Sequence, residues 1–266
     1  MKWIRWVFRI AASLALAACY ALASCTVAIL VRDFNQRLHW YSRNTGFFSP
    51  LLLKIMGVRV NIVDHTGGQG IRPGTLVVCN HLSYKDIFIL SSLRPMLFIS
   101  SVELSRTFFL GRMARFGGTV FVERRSPAGL RQEIRQISDL LRQDFVLTLF
   151  PEAGISDGEG LFPFKPALFQ SAIQAGTRVQ PVCIRYCVLD GRPVNSARRR
   201  RVVWHRTLFI THILKLFTHS RVQADVEIFS PINAADKSRK DIMQQSFRLI
   251  QDCYRQELEI CRIRNK

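Results

Sequence analysis

The residues with the clearest chemical potential are a histidine and an aspartate, His81 and Asp86, which follow a short apolar run. Residues 76–79 are apolar and valine-rich, and an Arg-Pro-Gly turn signal precedes them at 72–74, which predicts a strand. Polar residues directly after a buried strand lie at the carboxyl edge of its sheet, where open α/β sheets commonly place their sites. A carboxylate that holds a histidine ring fixes its tautomer, so the pair can take a proton from a hydroxyl near neutral pH. The segment therefore predicts a general base that acts on a substrate hydroxyl.

A purely structural interpretation of the same residues is also open. Ser83, followed three residues later by Asp86, resembles a capping box at the start of a helix. In that interpretation Asp86 only starts the next helix, and His81 is an ordinary loop histidine. The segment 80–86 alone does not decide between the two.

Two further apolar runs end in residues that can bind or react. Residues 118–123 predict a strand that ends before Arg124, and residues 146–150 predict one that is followed by Pro151 and Glu152. A base, a cation and a second acid thus follow separate strands. This arrangement favours the catalytic interpretation of His81.

The order and spacing of these segments resemble the glycerolipid acyltransferases, specifically the 1-acylglycerol-3-phosphate acyltransferases. That family carries N-H-x4-D, then G-x-x-F-x-x-R, then F-P-E-G-T, and then a block with a proline between apolar residues, which residues 179–182 resemble here. The resemblance runs from about residue 73 to residue 186, and more weakly to the C-terminus. One H-x4-D would be a weak signal, whereas four blocks in this order are a specific one.

The resemblance implies catalytic roles for the first block. His81 matches the base that deprotonates the acceptor hydroxyl as it attacks an acyl thioester, and Asp86 matches the carboxylate that orients it. The donor is acyl-CoA or acyl carrier protein, used as a co-substrate, and no other cofactor or metal is implied.

Substrate-binding roles are implied for the second block. Gly118, Phe121 and Arg124 match its three positions, and the family's arginine is associated with the phosphate of the acceptor. A guanidinium suits this role because it forms bidentate, charge-assisted hydrogen bonds to phosphate. A solvated arginine at a strand end is the alternative for Arg124.

Pro151 and Glu152 match the third block, whose glutamate is tied to binding the glycerol backbone. Lys165 matches a later lysine that offers a second positive charge to an anionic head group. Where the family has Gly-Thr after the glutamate, this chain has Ala153 and Gly154. Either Ala153 adopts a positive φ here, or the turn has shifted so that Gly154 supplies that freedom.

The departures from the family pattern in the third block leave the acyl-transfer chemistry intact but bear on the identity of the acceptor. Ser156 and Asp157 follow closely and could replace the hydrogen bond of the missing threonine. The segment 156–165 is similar to that of the lyso-ornithine-lipid acyltransferases, a neighbouring group. Lysophosphatidate is the first expectation for the acceptor, and a lyso-ornithine lipid is the alternative.

Charge and hydropathy indicate a membrane partner. The 266 residues carry a net charge of +19, which implies an anionic partner, and no nucleic-acid-binding module or basic face with interleaved aromatics is present. Four arginines at 198–201 predict an exposed loop that either contacts anionic lipid or is simply solvated.

The N-terminal region predicts a membrane anchor. Residues 10–31 lack charge and are long enough to span roughly 30 Å of hydrocarbon. The second apolar run, 47–58, is too short to span, and the resemblance implies that the two form a helical pair embedded in the bilayer. We divide the chain into an anchor, 1–58, and a catalytic domain, 59–266. A lipoprotein cleavage box ending at Cys19 is an alternative, but the apolar run continues beyond it.

The remaining pattern predicts an α/β fold with a mixed, mainly parallel sheet flanked by helices. Strands are expected near 58–63, 76–80, 97–100, 118–123, 146–150, 179–186, 201–204 and 224–229. Helices are expected near 84–92, 103–115, 127–143, 166–175, 207–217 and 237–260. The seven cysteines are scattered and odd in number, which favours reduced thiols.

The sequence as a whole predicts an O-acyltransferase that acts on a lysolipid in the bacterial inner membrane, with its active site on the cytoplasmic face. Its partners are membrane lipids, the lysolipid acceptor and the acyl carrier, and not nucleic acid. The alternative from another class is an inactive basic protein of the membrane surface.

Overall fold

The computed structural model describes residues 2–123 and 127–263. Arg124 lies outside the described residues. The helices are α1 (Lys2–Leu30), α2 (Phe34–Met56), α3 (Lys85–Leu93), α4 (Val102–Ser105), α5 (Phe108–Phe116), α6 (Pro127–Arg142), α7 (Gln170–Ala175), α8 (Ser196–Val202), α9 (Phe209–Thr218) and α10 (Arg239–Ile263), with one 3₁₀ turn at Ala167–Phe169. The strands are β1 (Val58–Asp64), β2 (Leu76–Cys79), β3 (Leu97–Ser101), β4 (Val120–Val122), β5 (Leu147–Leu149), β6 (Arg178–Leu189), β7 (Arg192–Pro193), β8 (Val222–Ile228) and β9 (Ile232–Asn233).

The strands form one mixed sheet in the order β1-β8-β6-β2-β5-β3-β4, with β7 and β9 paired to β6. Strands β6, β2, β5, β3 and β4 run parallel to one another, and β1 is parallel to β8, while β8 is antiparallel to β6. The central strands β2 and β5 are buried along their whole length, as expected for parallel strands covered on both faces. The predicted fold class is confirmed.

This topology determines where the residues of the first and third blocks meet. Strands β2 and β5 are parallel neighbours, with Val78 opposite Leu149. The loops that follow them, which carry the first and third blocks, therefore leave the sheet side by side at its carboxyl edge.

The N-terminal region is an antiparallel pair of helices that packs on the rest of the chain. Asp33 caps α2, since its carboxylate accepts a hydrogen bond from Gln36 N at 2.7 Å. The pair is joined by Tyr20 and Thr45, whose hydroxyl oxygens are 3.0 Å apart. Arg9 of α1 is buried and donates to the carbonyl of Ser220 at 2.9 Å. This contact attaches the hairpin of α1 and α2 to the α/β part of the chain.

The opposite side of the hairpin is apolar and exposed. Of the described residues, those of α1 form one helix that is long and apolar enough to cross a membrane. The exposed large apolar side chains of α1 and α2 are Trp3, Ile4, Val7, Phe8, Leu14, Leu22, Ile29, Leu30, Phe34, Trp40, Phe47 and Leu51. The predicted short run at 47–58 is the end of the longer helix α2, which continues through Pro50. The division at residue 58 stays a prediction.

Three local predictions were wrong. The strand expected at 201–204 does not form, and the arginines at 198–201 lie in α8 rather than in a loop. Asn195 caps this helix by accepting from Arg198 N at 3.1 Å, a start signal that the sequence interpretation overlooked. The single helix expected at 103–115 is divided into α4 and α5, because Thr107 caps a new helix by accepting from Gly111 N at 2.9 Å.

Candidate active site

His81 lies where β2 ends and contacts Asp86 directly. Its Nδ1 is 2.9 Å from Asp86 Oδ2, and its side chain is 15% exposed. The ring stacks on Phe150, with centroids 4.0 Å apart and planes inclined by 18°. Because a carboxylate accepts but does not donate, Nδ1 carries the proton and Nε2 keeps a free lone pair. The ring is held in the tautomer that a general base needs.

Asp86 is completely buried and accepts four hydrogen bonds. Its Oδ2 accepts from the His81 ring, from Leu82 N at 2.7 Å and from Ser83 N at 2.8 Å. Its Oδ1 accepts from the hydroxyl of Tyr186 at 2.6 Å. These four donors satisfy the hydrogen-bonding capacity of a carboxylate that is shut off from solvent. Asp86 thus combines the two interpretations, since it satisfies the backbone before α3 and also orients His81.

Tyr186 is the part of this site that sequence reasoning missed. It lies on β6, which pairs with β2 so that Val182 is opposite Cys79. Tyr186 lies four residues further along β6, beyond the end of β2. Its hydroxyl there reaches the carboxylate of Asp86, at the start of α3. Burial, followed by the nearby Asp86 charge, raises the pKa of Tyr186 well above its usual value, so its hydroxyl remains a donor. The only sequence signal for Tyr186 was its place shortly after the fourth block, residues 179–182.

Glu152 joins the third block to the first. Its Oε1 accepts from His81 N at 2.8 Å and its Oε2 accepts from Phe162 N at 2.7 Å. The residue is only 5% exposed, and burial raises the pKa of its carboxyl to about 7, while the two backbone donors oppose that rise. The described contacts of its carboxylate are therefore to backbone, and a role in binding glycerol stays a prediction.

The loop after Glu152 is built around Ala153. Ala153 has a φ of 58°, so the left-handed conformation is carried by the alanine and not by Gly154. Ser156 N donates to the carbonyl of His81 at 3.1 Å, while its own hydroxyl accepts from Gly158 N at 3.3 Å. The third block thus holds the backbone of His81 on both sides, through its N–H and its carbonyl.

Pro151 and Lys165 are brought to the same loop. Pro151 is buried, and its carbonyl accepts from Lys165 N at 2.9 Å. The Lys165 side chain is exposed. The structure thus places the backbone of Lys165 beside the third block, and the contact of its side chain with a head group remains a prediction.

The second block is described only in part. Gly118 is buried with a φ of 70°, and a Cβ there would lie 2.7 Å from a methyl carbon of Leu97. Phe121 is half-buried in β4. Gly118 therefore has a packing reason to be glycine. The substrate-binding roles of Gly118 and Phe121 stay predictions, and that of Arg124 falls outside the described residues.

The arrangement leaves Nε2 of His81 able to accept a proton. Of the described residues, no group of three His, Cys, Asp or Glu is placed to hold a metal ion. The His81 ring contacts Asp86 through Nδ1 and Phe150 through one face, and its backbone N–H donates to Glu152. These contacts make it the side chain best placed to deprotonate a bound hydroxyl.

Comparisons with known proteins show which family the chain resembles. Residues 62–185 match the protein-family model described as Acyltransferase, a range that contains both His81 and Glu152. A 1-acyl-sn-glycerol-3-phosphate acyltransferase of Neisseria gonorrhoeae is 33% identical over 181 residues, which cover 66% of this chain and 69% of that protein. A lyso-ornithine lipid O-acyltransferase of Rhodobacter capsulatus is 30% identical over 237 residues, which cover 83% and 81%.

The fold has also been seen before. The crystal structure of the 1-acyl-sn-glycerophosphate acyltransferase of Thermotoga maritima superposes with a TM-score of 0.67, covering 96% of this chain and 97% of that one. At 18% sequence identity this likeness concerns the fold alone. The family model and the two relatives lead to one conclusion: as its four sequence blocks predicted, the chain belongs to the acyltransferase family.

Proposed function

We propose that this acyltransferase moves a fatty acyl group from a thioester, carried by coenzyme A or acyl carrier protein, to the free hydroxyl of a lysolipid. The observation that carries the proposal is the His81–Asp86 pair, with Nδ1 2.9 Å from the carboxylate and Nε2 left to accept a proton. The names of the relatives support a lysolipid as the acceptor.

In the proposed mechanism His81 Nε2 takes the proton of the acceptor hydroxyl as its oxygen attacks the thioester carbonyl. The resulting tetrahedral intermediate collapses with cleavage of the C–S bond, and the imidazolium returns the proton to the leaving thiolate. Asp86 stabilises the imidazolium in between without taking its proton. Each step uses a group that the site holds in place before substrate binds.

We propose lysophosphatidate as the acceptor, with phosphatidate as the product. A lyso-ornithine lipid is the second candidate because the Rhodobacter capsulatus relative aligns over 83% of the chain, against 66% for the Neisseria relative. The exposed Lys165 beside the third block suits the anionic group of the first acceptor.

Membrane association follows from the exposed apolar side of the α1–α2 hairpin, and the family resemblance extends the proposal to the inner membrane with the active site on its cytoplasmic face. The cysteines whose side chains are described are free thiols, which supports a reducing compartment. The net charge of +19 supports attraction to an anionic leaflet.

The test is labelled-acyl transfer by the purified protein in nanodiscs, with both lysolipids in competition and each acyl carrier supplied in turn. His81→Ala should lower turnover by about 10²–10⁴-fold, the usual contribution of a general base. His65→Ala is the matched control, because His65 also contacts a carboxylate, Glu227 at 3.1 Å, but on the surface.

Label in phosphatidate supports the proposal, and label in ornithine lipid transfers it to the second acceptor. Folded wild-type protein that labels neither lipid contradicts both and supports the inactive alternative. Turnover that survives His81→Ala contradicts the mechanism.

A further inference from the structure

Lys85 immediately precedes Asp86, and its side chain is completely buried. Its ammonium donates to Ser83 Oγ at 2.8 Å and to the carbonyl of Val202 at 2.6 Å. It also lies 4.6 Å from the ring centroid of Tyr186. Its hydrogen-bond acceptors are therefore neutral oxygens.

Burying an ammonium in this way is unfavourable, and an apolar side chain of similar length would fill the same space. Burial lowers the pKa of Lys85 to about 7, and the nearby Asp86 carboxylate opposes that change. A charge at such a position calls for a function. Its neighbours are the residues that hold the catalytic pair.

We propose that Lys85 is a positioning residue for the His81–Asp86 pair, acting through Tyr186 and through the end of α8. The proposal rests on the proposed function, since it concerns the same reaction.

The first connection is through Tyr186. The Lys85 ammonium lies against the ring of this tyrosine, whose hydroxyl donates to Asp86 Oδ1 at 2.6 Å. A cation near the ring polarises it and makes the phenol a stronger donor. Lys85 thereby strengthens the hydrogen bond from Tyr186 to Asp86 Oδ1, while Asp86 Oδ2 holds the His81 ring.

The second connection is through the backbone. Lys85 fastens the start of α3 to Val202, and Trp204 N donates to the carbonyl of Leu82 at 2.9 Å. Between them, the hydroxyl of Tyr84 is 3.2 Å from Nδ1 of His212 in α9. The loop that carries His81 is thus bound on one side by the segment 202–212, and Lys85 supplies the charged part of that attachment.

The experiment compares Lys85→Met, which removes charge and donors, with Lys85→Gln, which keeps an N–H donor. Tyr186→Phe removes only the phenol, and Ser91→Ala is the matched control, because Ser91 is buried on the same helix and its hydroxyl has no partner among the described residues. Full-length variants are assayed in nanodiscs, and their thermal unfolding is measured in parallel.

We expect Lys85→Met to lower kcat by about tenfold or more, as small displacements of a catalytic group do, with both KM values within about twofold of wild type. Lys85→Gln should be intermediate and Ser91→Ala unchanged. Adding Lys85→Met to Tyr186→Phe should cost less than about threefold further, because both act through Asp86.

Wild-type kcat in Lys85→Met overturns the proposal, and so do effects of Lys85→Met and Tyr186→Phe that multiply. Failure of both Lys85 variants to fold also overturns it, because Lys85 would then be needed only for stability. Wild-type turnover and its loss in His81→Ala are established first. Failure at that stage contradicts the proposed function, whereas failure in the Lys85 series alone contradicts only this inference.

Discussion

Glu152→Gln should lower kcat at pH 8 by about 10–100-fold, the cost of a slight misplacement of a catalytic group. The carboxylate accepts one backbone N–H on each oxygen, from His81 at 2.8 Å and from Phe162 at 2.7 Å. A glutamine of the same shape accepts on one atom only and presents N–H groups on the other. One of the two backbone donors therefore loses its acceptor. Either His81 N is released, which leaves the His81 backbone held only by Ser156 N at its carbonyl, or the turn at Phe162 is loosened and Glu152 shifts.

Stability should change much less than activity. The unpaired backbone N–H costs about 1–3 kcal/mol, while the neutral amide avoids the cost of a buried charge, which is of similar size, roughly 3 kcal/mol, for a carboxyl whose pKa is raised to about 7. Because the two effects oppose each other, the free energy of unfolding at pH 8 should change by less than about 2 kcal/mol.

The pH dependence of stability has a definite sign. Because the pKa of Glu152 is raised from 4.5 to about 7, the folded protein binds more protons at this residue than the unfolded chain between those values. Its contribution to stability is present below about pH 4.5 and is lost as pH rises through 7. The Glu152→Gln variant has no carboxyl to titrate at this position. Its free energy of unfolding should therefore increase relative to that of wild type as pH rises from 4.5 to about 7.

The assay is steady-state acyl transfer at pH 8, with urea unfolding of the same preparations at pH 5 and pH 8. Glu159→Gln is the control, since this carboxylate lies in the same loop but is 69% exposed. A variant with wild-type kcat and a raised acceptor KM would refute the reasoning, because it would show that Glu152 binds the acceptor directly, as the family resemblance implies. A variant that does not gain stability relative to wild type between pH 5 and pH 8 would refute the pKa argument.

Three further predictions concern single side chains. Asp86→Asn should lower kcat by roughly 10³–10⁴-fold, as it does where an aspartate holds a base in the correct tautomer, with little change in acceptor KM; a loss below tenfold would contradict this. Gly118→Ala should destabilise the fold by about 1–3 kcal/mol, because of its positive φ and the 2.7 Å approach to Leu97, and unchanged thermal unfolding would show the packing argument to be wrong. Ala153→Gly should stabilise by about 0.5–1 kcal/mol by relieving the φ of 58°, measured by urea unfolding, and a lower midpoint would contradict it.

The parts of the fold that local pattern decides were predictable. The buried runs of β2 and β5 are short, apolar and bounded by turn residues, so their ends could be placed to within a residue or two. The contact between His81 and Asp86 follows from a spacing of five across a helix start. Both depend on residues close together in the chain.

The parts that depend on register were not predictable. Tyr186 bonds a carboxylate 100 positions away, and only the pairing of β6 with β2 puts it there. The helix α8 was mistaken for a loop and a strand, because four successive arginines have no apolar period and its cap, Asn195, was overlooked. The contacts of the Glu152 carboxylate with the backbone of His81 and Phe162 were not predictable either, because no residue type reveals them.

The attachment of the hairpin has a consequence for how the enzyme can be handled. Leu53 and Met56 of α2 belong to the same buried core as β2 and α3, and Gly46 of α2 lies so close to α3 that a Cβ there would meet the carbonyl of Ser91 at 3.4 Å. Removing the first 58 residues would strip the helix that carries Asp86 of its covering. A shortened chain starting at β1 would then expose part of its hydrophobic core to water rather than give a water-soluble form of the enzyme, so purification should keep α1 and α2.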